Sequence, residues 1–181
     1  VMLWWMLACA PSGPTDMERI AAWHHDDPIP AVTVTDEDGS SLRLDALRGK
    51  PTLVGFVFTR CGNERACPLT MRRLVSAQEA FGAERLGIVV FTIDPAFDTP
   101  DRLAAYADRY GADRDRWVLA TGEPELLREG LPSLFNVYAV GEGPRTSHPV
   151  KLTLLDANGR IVADWDDDEP LLPALEALLS E

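Results

Sequence analysis

Continuous apolar runs and turn sequences along the chain predict a set of strands. Residues 51–59 and 86–93 are apolar runs without polar alternation, which is typical of strands buried on both faces. Asp-Glu-Asp-Gly at 36–39 and Asp-Ala-Asn-Gly at 156–159 each separate two short apolar segments and therefore predict hairpins. The predicted strands are 29–34, 41–44, 51–59, 86–93, 117–120, 150–155 and 160–165.

Apolar residues at helical spacing predict helices between these strands. Pro68 and Pro100 stand at the start of two such segments, where the missing N–H of proline costs nothing. A short helix is predicted over 124–129, and the last one has an apolar stripe made of Leu171, Ala174, Leu175, Leu178 and Leu179. Helices that alternate with strands predict an α/β domain, with a central mixed sheet flanked by helices. The order of the elements is that of a thioredoxin-like fold with an added N-terminal hairpin.

Composition limits the classes of partner. The chain has 181 residues, of which 46% are hydrophobic and 25% charged, as expected for one soluble globular domain. Its formal net charge is −12, and no cluster of lysines and arginines is interleaved with aromatic residues. Because nucleic acids require a basic face, we expect no nucleic-acid partner.

The N-terminal residues are typical of the end of a bacterial lipoprotein signal. Residues 1–9 are apolar and end in Met-Leu-Ala-Cys, where small residues before a cysteine suit cleavage and acylation. We therefore predict a signal over 1–9 that ends at a lipidated Cys9, a flexible tether over 10–28 and the folded domain over 29–181. This predicts a lipoprotein anchored to the membrane on the periplasmic side of the bacterial cell envelope. The alternative is that Cys9 is an odd thiol at a frayed terminus.

Two further cysteines lie between a predicted buried strand and a predicted helix. Cys61 and Cys67 fall at a strand end, where ligands and catalytic groups of α/β proteins collect. We expect the helix dipole to favour the Cys67 thiolate, with Arg60 and Arg65 adding positive charge. A thiolate is both a nucleophile and a soft metal ligand, so the pair indicates redox chemistry or metal binding. A structural disulfide is a third interpretation.

His148 precedes the predicted strand 150–155. In a thioredoxin-like sheet, the loop that enters this strand comes close to the cysteine turn. Two thiolates and an imidazole suit copper, because sulfur selects Cu(I) and nitrogen helps to hold Cu(II). A structural zinc site would need a fourth ligand, and none is evident. Asp94, at the end of strand 86–93, is a candidate for orienting a ligand or taking a proton, or it only orders the turn before Pro95.

Several motifs in a fixed order resemble the Sco/SenC family over residues 29–181. They are Thr59-Arg60-Cys61, Cys67-Pro68, Asp-Pro-Ala-Phe-Asp-Thr-Pro at 94–100, Trp117 before Thr121-Gly122, and His148 eight residues before Asp156. The resemblance implies that Cys61, Cys67 and His148 bind copper, as Cu(I) or Cu(II). It implies delivery of this copper to the binuclear copper centre of cytochrome c oxidase, or reduction of that centre's cysteines. The implied partner is the oxidase subunit that carries the centre, or another exported cuproprotein.

The chain departs from the family pattern in ways that keep an alternative open. Five residues separate the two cysteines, whereas the family usually has three, and Gly62 occupies the place of the family's proline. Pro149 follows His148, which resembles the cis-proline loop of thioredoxins. A thiol–disulfide oxidoreductase acting on exported protein cysteines is therefore the second hypothesis. The missing Cys-X-X-Cys spacing favours a metallochaperone over this enzyme.

Overall fold

The computed structural model describes residues 13–138, 140–141, 146 and 148–180, and these form a central sheet with helices on its faces. The strands are β1 (Thr33–Thr35), β2 (Ser41–Arg43), β3 (Thr52–Val57), β4 (Gly87–Thr92), β5 (Trp117–Ala120), β6 (Leu152–Leu155) and β7 (Ile161–Trp165). The helices are α1 (Asp16–Ala21), α2 (Cys67–Ala80), α3 (Pro100–Tyr110), α4 (Leu131–Leu134) and α5 (Leu171–Leu178). A 3₁₀ turn, Leu44–Leu47, follows β2. All the predicted strands are present, with ends trimmed by a few residues in most of them.

The main sheet has five strands in the order β5-β4-β3-β6-β7. The central strand β3 pairs in parallel with β4, with Leu53 opposite Ile88, and antiparallel with β6, with Gly55 opposite Leu152. Every residue of β3 and β4 is buried, as their uninterrupted apolar runs predicted. The α/β fold with a mixed sheet is therefore confirmed, and β3 places its C-terminal end between β4 and the start of β6.

Helix α2 lies close to β3 because of a glycine in the strand. A Cβ atom at Gly55 would lie 3.2 Å from both Leu74 Cδ1 and Thr70 Cγ2 of α2, which is tighter than ordinary packing. Glycine at this position lets the helix approach the sheet closely. The approach buries the first residue of α2, Cys67, completely.

The predicted N-terminal hairpin forms a separate sheet of β1 and β2. It is attached to the main sheet by a bridge between Thr35 and Thr121. The Glu37 carboxylate, in the hairpin turn, accepts a hydrogen bond of 2.8 Å from the backbone N–H of Leu119 in β5. The hairpin therefore covers the outer strand of the parallel side of the sheet.

The segment predicted as a tether contains a short helix in its described part. Thr15 and Glu18 form a capping box at the start of α1, and Ile20 is buried against Gly130. The predicted signal over 1–9 and Cys9 lie outside the described residues, so both stay predictions, as does the proposed boundary at residue 28.

Between β5 and β6 the predicted helix over 124–129 is present, and the helical run continues to residue 134. A single π turn, Leu126–Gly130, leads directly into α4. Pro132 lies two residues after the π turn, and because it has no N–H it cannot donate a hydrogen bond to the preceding turn. None of the helices in the described ranges is both long and apolar enough to cross a membrane.

Candidate metal centre

Cys67 occupies the floor of the site, where β3 ends and α2 begins. Its thiol is fully buried, and the backbone N–H of Phe58 points at it, with 3.4 Å between N and Sγ. A backbone donor aimed at sulfur stabilises a thiolate or a metal-bound sulfur. Helix α2 thus supplies a buried sulfur, and the chain at the end of β3 supplies one oriented hydrogen-bond donor.

His148 lies beside this sulfur, with its Nε2 atom 3.4 Å from Cys67 Sγ. Its Nδ1 atom lies 2.9 Å from the Pro149 carbonyl oxygen. A carbonyl can only accept, so Nδ1 carries the proton and the Nε2 lone pair faces the sulfur. Burial lowers the pKa of His148, which keeps the imidazole neutral. Neutral imidazole with its other nitrogen bonded to a carbonyl is the usual state of a metal ligand.

Cys61 lies on the turn between β3 and α2 and is half-buried. Its Sγ is 3.6 Å from the carbonyl oxygen of Asn63, and both cysteines are free thiols. Burial raises the pKa of Cys67, and the neighbouring Cys61 thiol adds to this effect. Within the described ranges, no group of three His, Cys, Asp or Glu side chains is arranged to hold a metal. The structure thus joins Cys67 to His148, while Cys61 stands beside this pair.

The expectation that the helix dipole and nearby arginines activate Cys67 is wrong. Burial raises the pKa of Cys67 well above its usual range, and the Phe58 N–H offsets only part of this effect. Arg60 does not direct its charge at the Cys67 thiol. Its Nε donates to Asp94 Oδ2 at 2.7 Å, and its guanidinium lies over the Phe97 ring. The favourable helix terminus is outweighed by the loss of water around the sulfur.

Comparison with known proteins supports the sequence resemblance. The family model described as SCO1/SenC matches residues 14–180. The chain belongs to the SCO1/SenC family. It is 28% identical over 146 residues to the SCO1 protein homolog of Bacillus subtilis, which covers 78% of this chain and 75% of that protein.

Solved structures of other SCO1/SenC proteins have a similar fold. A SCO1/SenC family lipoprotein from Bacillus anthracis aligns with a TM-score of 0.76 at 23% identity, over 86% of this chain and 96% of that one. Bradyrhizobium japonicum ScoI with copper bound aligns with a TM-score of 0.67 at 23% identity, over 82% and 94% of the two chains. The predicted thioredoxin-like fold is therefore confirmed.

In this SCO1/SenC chain Asp94 is buried and held by its neighbours. Its carboxylate pairs with Arg60, and its backbone N–H donates to Thr92 Oγ1 at 3.0 Å. Among the described residues, neither Cys67 nor His148 is a hydrogen-bond partner of Asp94. A role in orienting a metal ligand therefore stays a prediction, and the observed contacts order the loop that follows β4.

Asp98 is a buried group whose part in the site the sequence analysis did not identify. Its side chain does not cap α3, the helix that follows it, but accepts hydrogen bonds from Thr59 N, Thr59 Oγ1 and Thr92 Oγ1. Thr99, the residue that precedes α3, makes no side-chain cap either. The only sequence signal for this network was the position of two threonines, since Thr59 follows β3 and Thr92 ends β4. The C-terminal ends of two neighbouring parallel strands lie at the same edge of the sheet. Asp98 thus holds Thr59, which lies two residues after the end of β3 and two residues before Cys61.

The bond between His148 and Pro149 departs from the thioredoxin pattern. Among the residues that the structure describes, no peptide bond is cis. The SCO1/SenC chain therefore enters β6 through a trans proline, and the resemblance to the cis-proline loop is wrong.

Proposed function

We propose that this SCO1/SenC protein binds copper through Cys61, Cys67 and His148 and acts as a metallochaperone for the binuclear copper centre of cytochrome c oxidase. The observation that carries the proposal is the 3.4 Å contact between Cys67 Sγ and His148 Nε2. It joins a soft donor to a harder one, and this combination suits both oxidation states of copper.

Cys61 is proposed as the third ligand because it lies on the turn beside the buried pair. The turn has five residues between the cysteines, and extra residues in a surface turn cost little entropy when it rearranges. In this proposal the Cys61 thiolate moves toward the Cys67–His148 pair as copper enters. The bound copper in the Bradyrhizobium relative supports the choice of metal.

The buried state of Cys67 favours metal binding over the oxidoreductase hypothesis. Disulfide exchange requires an accessible thiolate, whereas burial raises the pKa of Cys67 and excludes solvent from its sulfur. A copper ion that enters the site replaces the thiol proton and compensates the buried negative charge. Cys67 is therefore better suited to hold a metal than to attack a disulfide.

Copper titration of the reduced protein tests the ligand set. It uses a Cys9→Ser background, which removes the additional thiol, and measures Cu(II) binding by absorption and Cu(I) binding by competition with a chelator. His148→Ala should abolish or severely weaken Cu(II) binding and weaken Cu(I) binding less, since two thiolates retain Cu(I). The Cys61–Cys67 redox couple should survive this change. His25→Ala is the matched control, because the His25 side chain is 66% exposed.

An unchanged Cu(II) spectrum and affinity in His148→Ala would show that this imidazole is not a ligand. The site would then lose its nitrogen donor, and the oxidoreductase hypothesis would become the better one. A spectrum altered equally by His25→Ala would show instead that copper is held by exposed histidines.

Mixing experiments test the role toward cytochrome c oxidase. The copper-loaded protein is mixed with the soluble copper domain of the oxidase, prepared without metal and with its cysteines reduced. Delivery predicts that copper leaves this protein and that the spectrum of the binuclear centre appears. Starting instead from the oxidised domain tests the reductive role, which predicts loss of the domain's disulfide. If neither change occurs, the assigned partner is wrong.

We also propose that Cys9 is lipidated and holds the domain at the membrane on the periplasmic side. The protein expressed in a bacterium with its authentic start should then sediment with membranes, and Cys9→Ser should release it. Membrane association that is unchanged by the substitution would contradict this anchor.

A further inference from the structure

A cavity of about 410 Å³ lies beside Cys61, between the turn that follows β3 and the face of α3. Its lining includes Cys61, Glu64, Arg72, Tyr106, Arg109 and Tyr110. Cys67 and His148 are not part of the lining, and both are buried. The cavity therefore gives a ligand access to one sulfur of the site and not to the other.

The charged groups of the cavity are available to a ligand. Arg109 and the Glu64 carboxylate are exposed and form no hydrogen bond or ion pair with any described residue. Arg72 makes one side-chain hydrogen bond, of 3.3 Å, from Nη2 to the Glu64 carbonyl oxygen. Two available arginines in one cavity are notable in a chain with a net charge of −12. On this acidic protein the two arginines form a local site for the negatively charged groups of a ligand.

The remaining wall is aromatic and well ordered by packing. The rings of Tyr106 and Tyr110 lie 5.0 Å apart, and Tyr106 is buried. A rigid aromatic wall with a few charged groups is the usual composition of a small-molecule site, and the volume falls in the usual range.

We propose that this cavity binds a small peptide thiol that carries two carboxylates and one ammonium group, and that Cys61 exchanges disulfides with its oxidised form. Arg72 and Arg109 match the two carboxylates, since guanidinium groups bind carboxylates through paired hydrogen bonds. Glu64 matches the ammonium group. The thiol of Cys61 then faces the sulfur of the ligand.

The exchange is a balanced reaction with the ligand's disulfide as the oxidant. The Cys61 thiolate attacks one sulfur of this disulfide, the S–S bond breaks, and one ligand molecule leaves as a thiolate. The product is a mixed disulfide between Cys61 and the other ligand molecule. Attack by a second ligand thiolate on this bond reverses the step and restores the free Cys61 thiol.

Rates of thiol modification test the proposal on the reduced, metal-free Cys9→Ser protein. Glutathione disulfide is the probe, and 2-hydroxyethyl disulfide is the uncharged reference. Loss of the Cys61 thiol is followed by mass spectrometry of peptides, which counts both the mixed disulfide and any Cys61–Cys67 disulfide that follows from it. We expect glutathione disulfide to react faster than the reference and to lose this advantage in high salt.

The arginine variants separate recognition from intrinsic reactivity. Arg72→Gln and Arg109→Gln should each slow the reaction with glutathione disulfide by about threefold to fivefold, the size expected for exposed ion pairs. The rate with 2-hydroxyethyl disulfide should not change. Arg128→Gln is the matched control, because Arg128 is an exposed arginine that lines a different cavity.

Equal slowing of both disulfides in the arginine variants would overturn the proposal, since the arginines would then act only on the reactivity of Cys61. Equal rates for the two disulfides in the wild-type protein would overturn it as well. The assay contains no copper, so its result is independent of whether the copper titration supports the proposed function.

Discussion

Replacement of Asp98 tests whether the buried carboxylate holds together the strand ends beneath the site. Asp98→Ala removes the acceptor of three hydrogen bonds, from Thr59 N, Thr59 Oγ1 and Thr92 Oγ1, at a position with no solvent exposure. An unsatisfied buried donor costs about 1–3 kcal/mol. Because the Thr59 hydroxyl can turn toward water, we expect the free energy of unfolding to fall by about 3–5 kcal/mol.

Asp98→Asn should lower the free energy of unfolding by about half as much. The asparagine amide keeps one oxygen as an acceptor, but its NH2 group faces donors that need an acceptor. Urea unfolding followed by far-UV circular dichroism measures both changes, and Asp108→Asn, at an exposed position of α3, is the control. Copper affinity should fall together with stability, because Thr59 lies two residues before Cys61. This reasoning would be refuted if the free energy of unfolding of Asp98→Ala were within about 1 kcal/mol of the wild-type value and its slope with urea concentration were unchanged.

Three further substitutions probe other parts of the domain. Burial raises the pKa of Glu37. The wild-type protein should therefore lose stability relative to Glu37→Gln as the pH rises from about 4.3, the pKa in the unfolded chain, through the raised pKa of the folded state. Urea unfolding at several pH values measures this difference. Gly55→Ala should lower the free energy of unfolding by about 1–3 kcal/mol, because its Cβ crowds two side chains of α2. Thr15→Ala removes the capping box of α1 and should cost the helix about 1 kcal/mol, seen as faster amide exchange confined to α1.

Each of these predictions has a contrary result. A stability difference between Glu37→Gln and wild type that is constant from about pH 4 to 7 would show that this carboxylate does not titrate differently on folding. A stabilised Gly55→Ala protein would mean that the packing of α2 on β3 has room for a methyl group. Unchanged exchange in Thr15→Ala would mean that α1 does not depend on its cap.

The central strands were predictable from the sequence because burial on both faces leaves a simple signal. The apolar runs that became β3 and β4 contain no polar alternation, and the Asp156 turn has the composition of a hairpin. The segment before β6 was harder to predict, since a π turn and a short helix depend on how Leu126 and Leu131 pack rather than on a long periodic pattern. The helical part therefore begins where it was predicted, at residue 124, but continues to residue 134 and contains a π turn.

The contact between Cys67 and His148 followed from the order of the elements, but the state of the two side chains did not. Periodicity shows which face of α2 turns inward, whereas the depth of Cys67 depends on how closely α2 approaches Gly55. The tautomer of His148 depends on one backbone carbonyl, and the network of Asp98 depends on strand ends that are distant in sequence. These features arise from tertiary packing, which no local pattern encodes.

The pairing of β3 with β6 also determines when the Cys67–His148 pair can exist during biosynthesis. The two residues are 81 positions apart, and the antiparallel pairing of β6 with β3 brings them together. A chain that ends at α4 carries both cysteines without His148, whereas one that extends through β6 can complete this pairing. The pair is therefore assembled late and all at once, by the last strands to be synthesised. Until then the two cysteines belong to an unfinished sheet, so the Cys67–His148 pair depends on the completed domain and on no local segment.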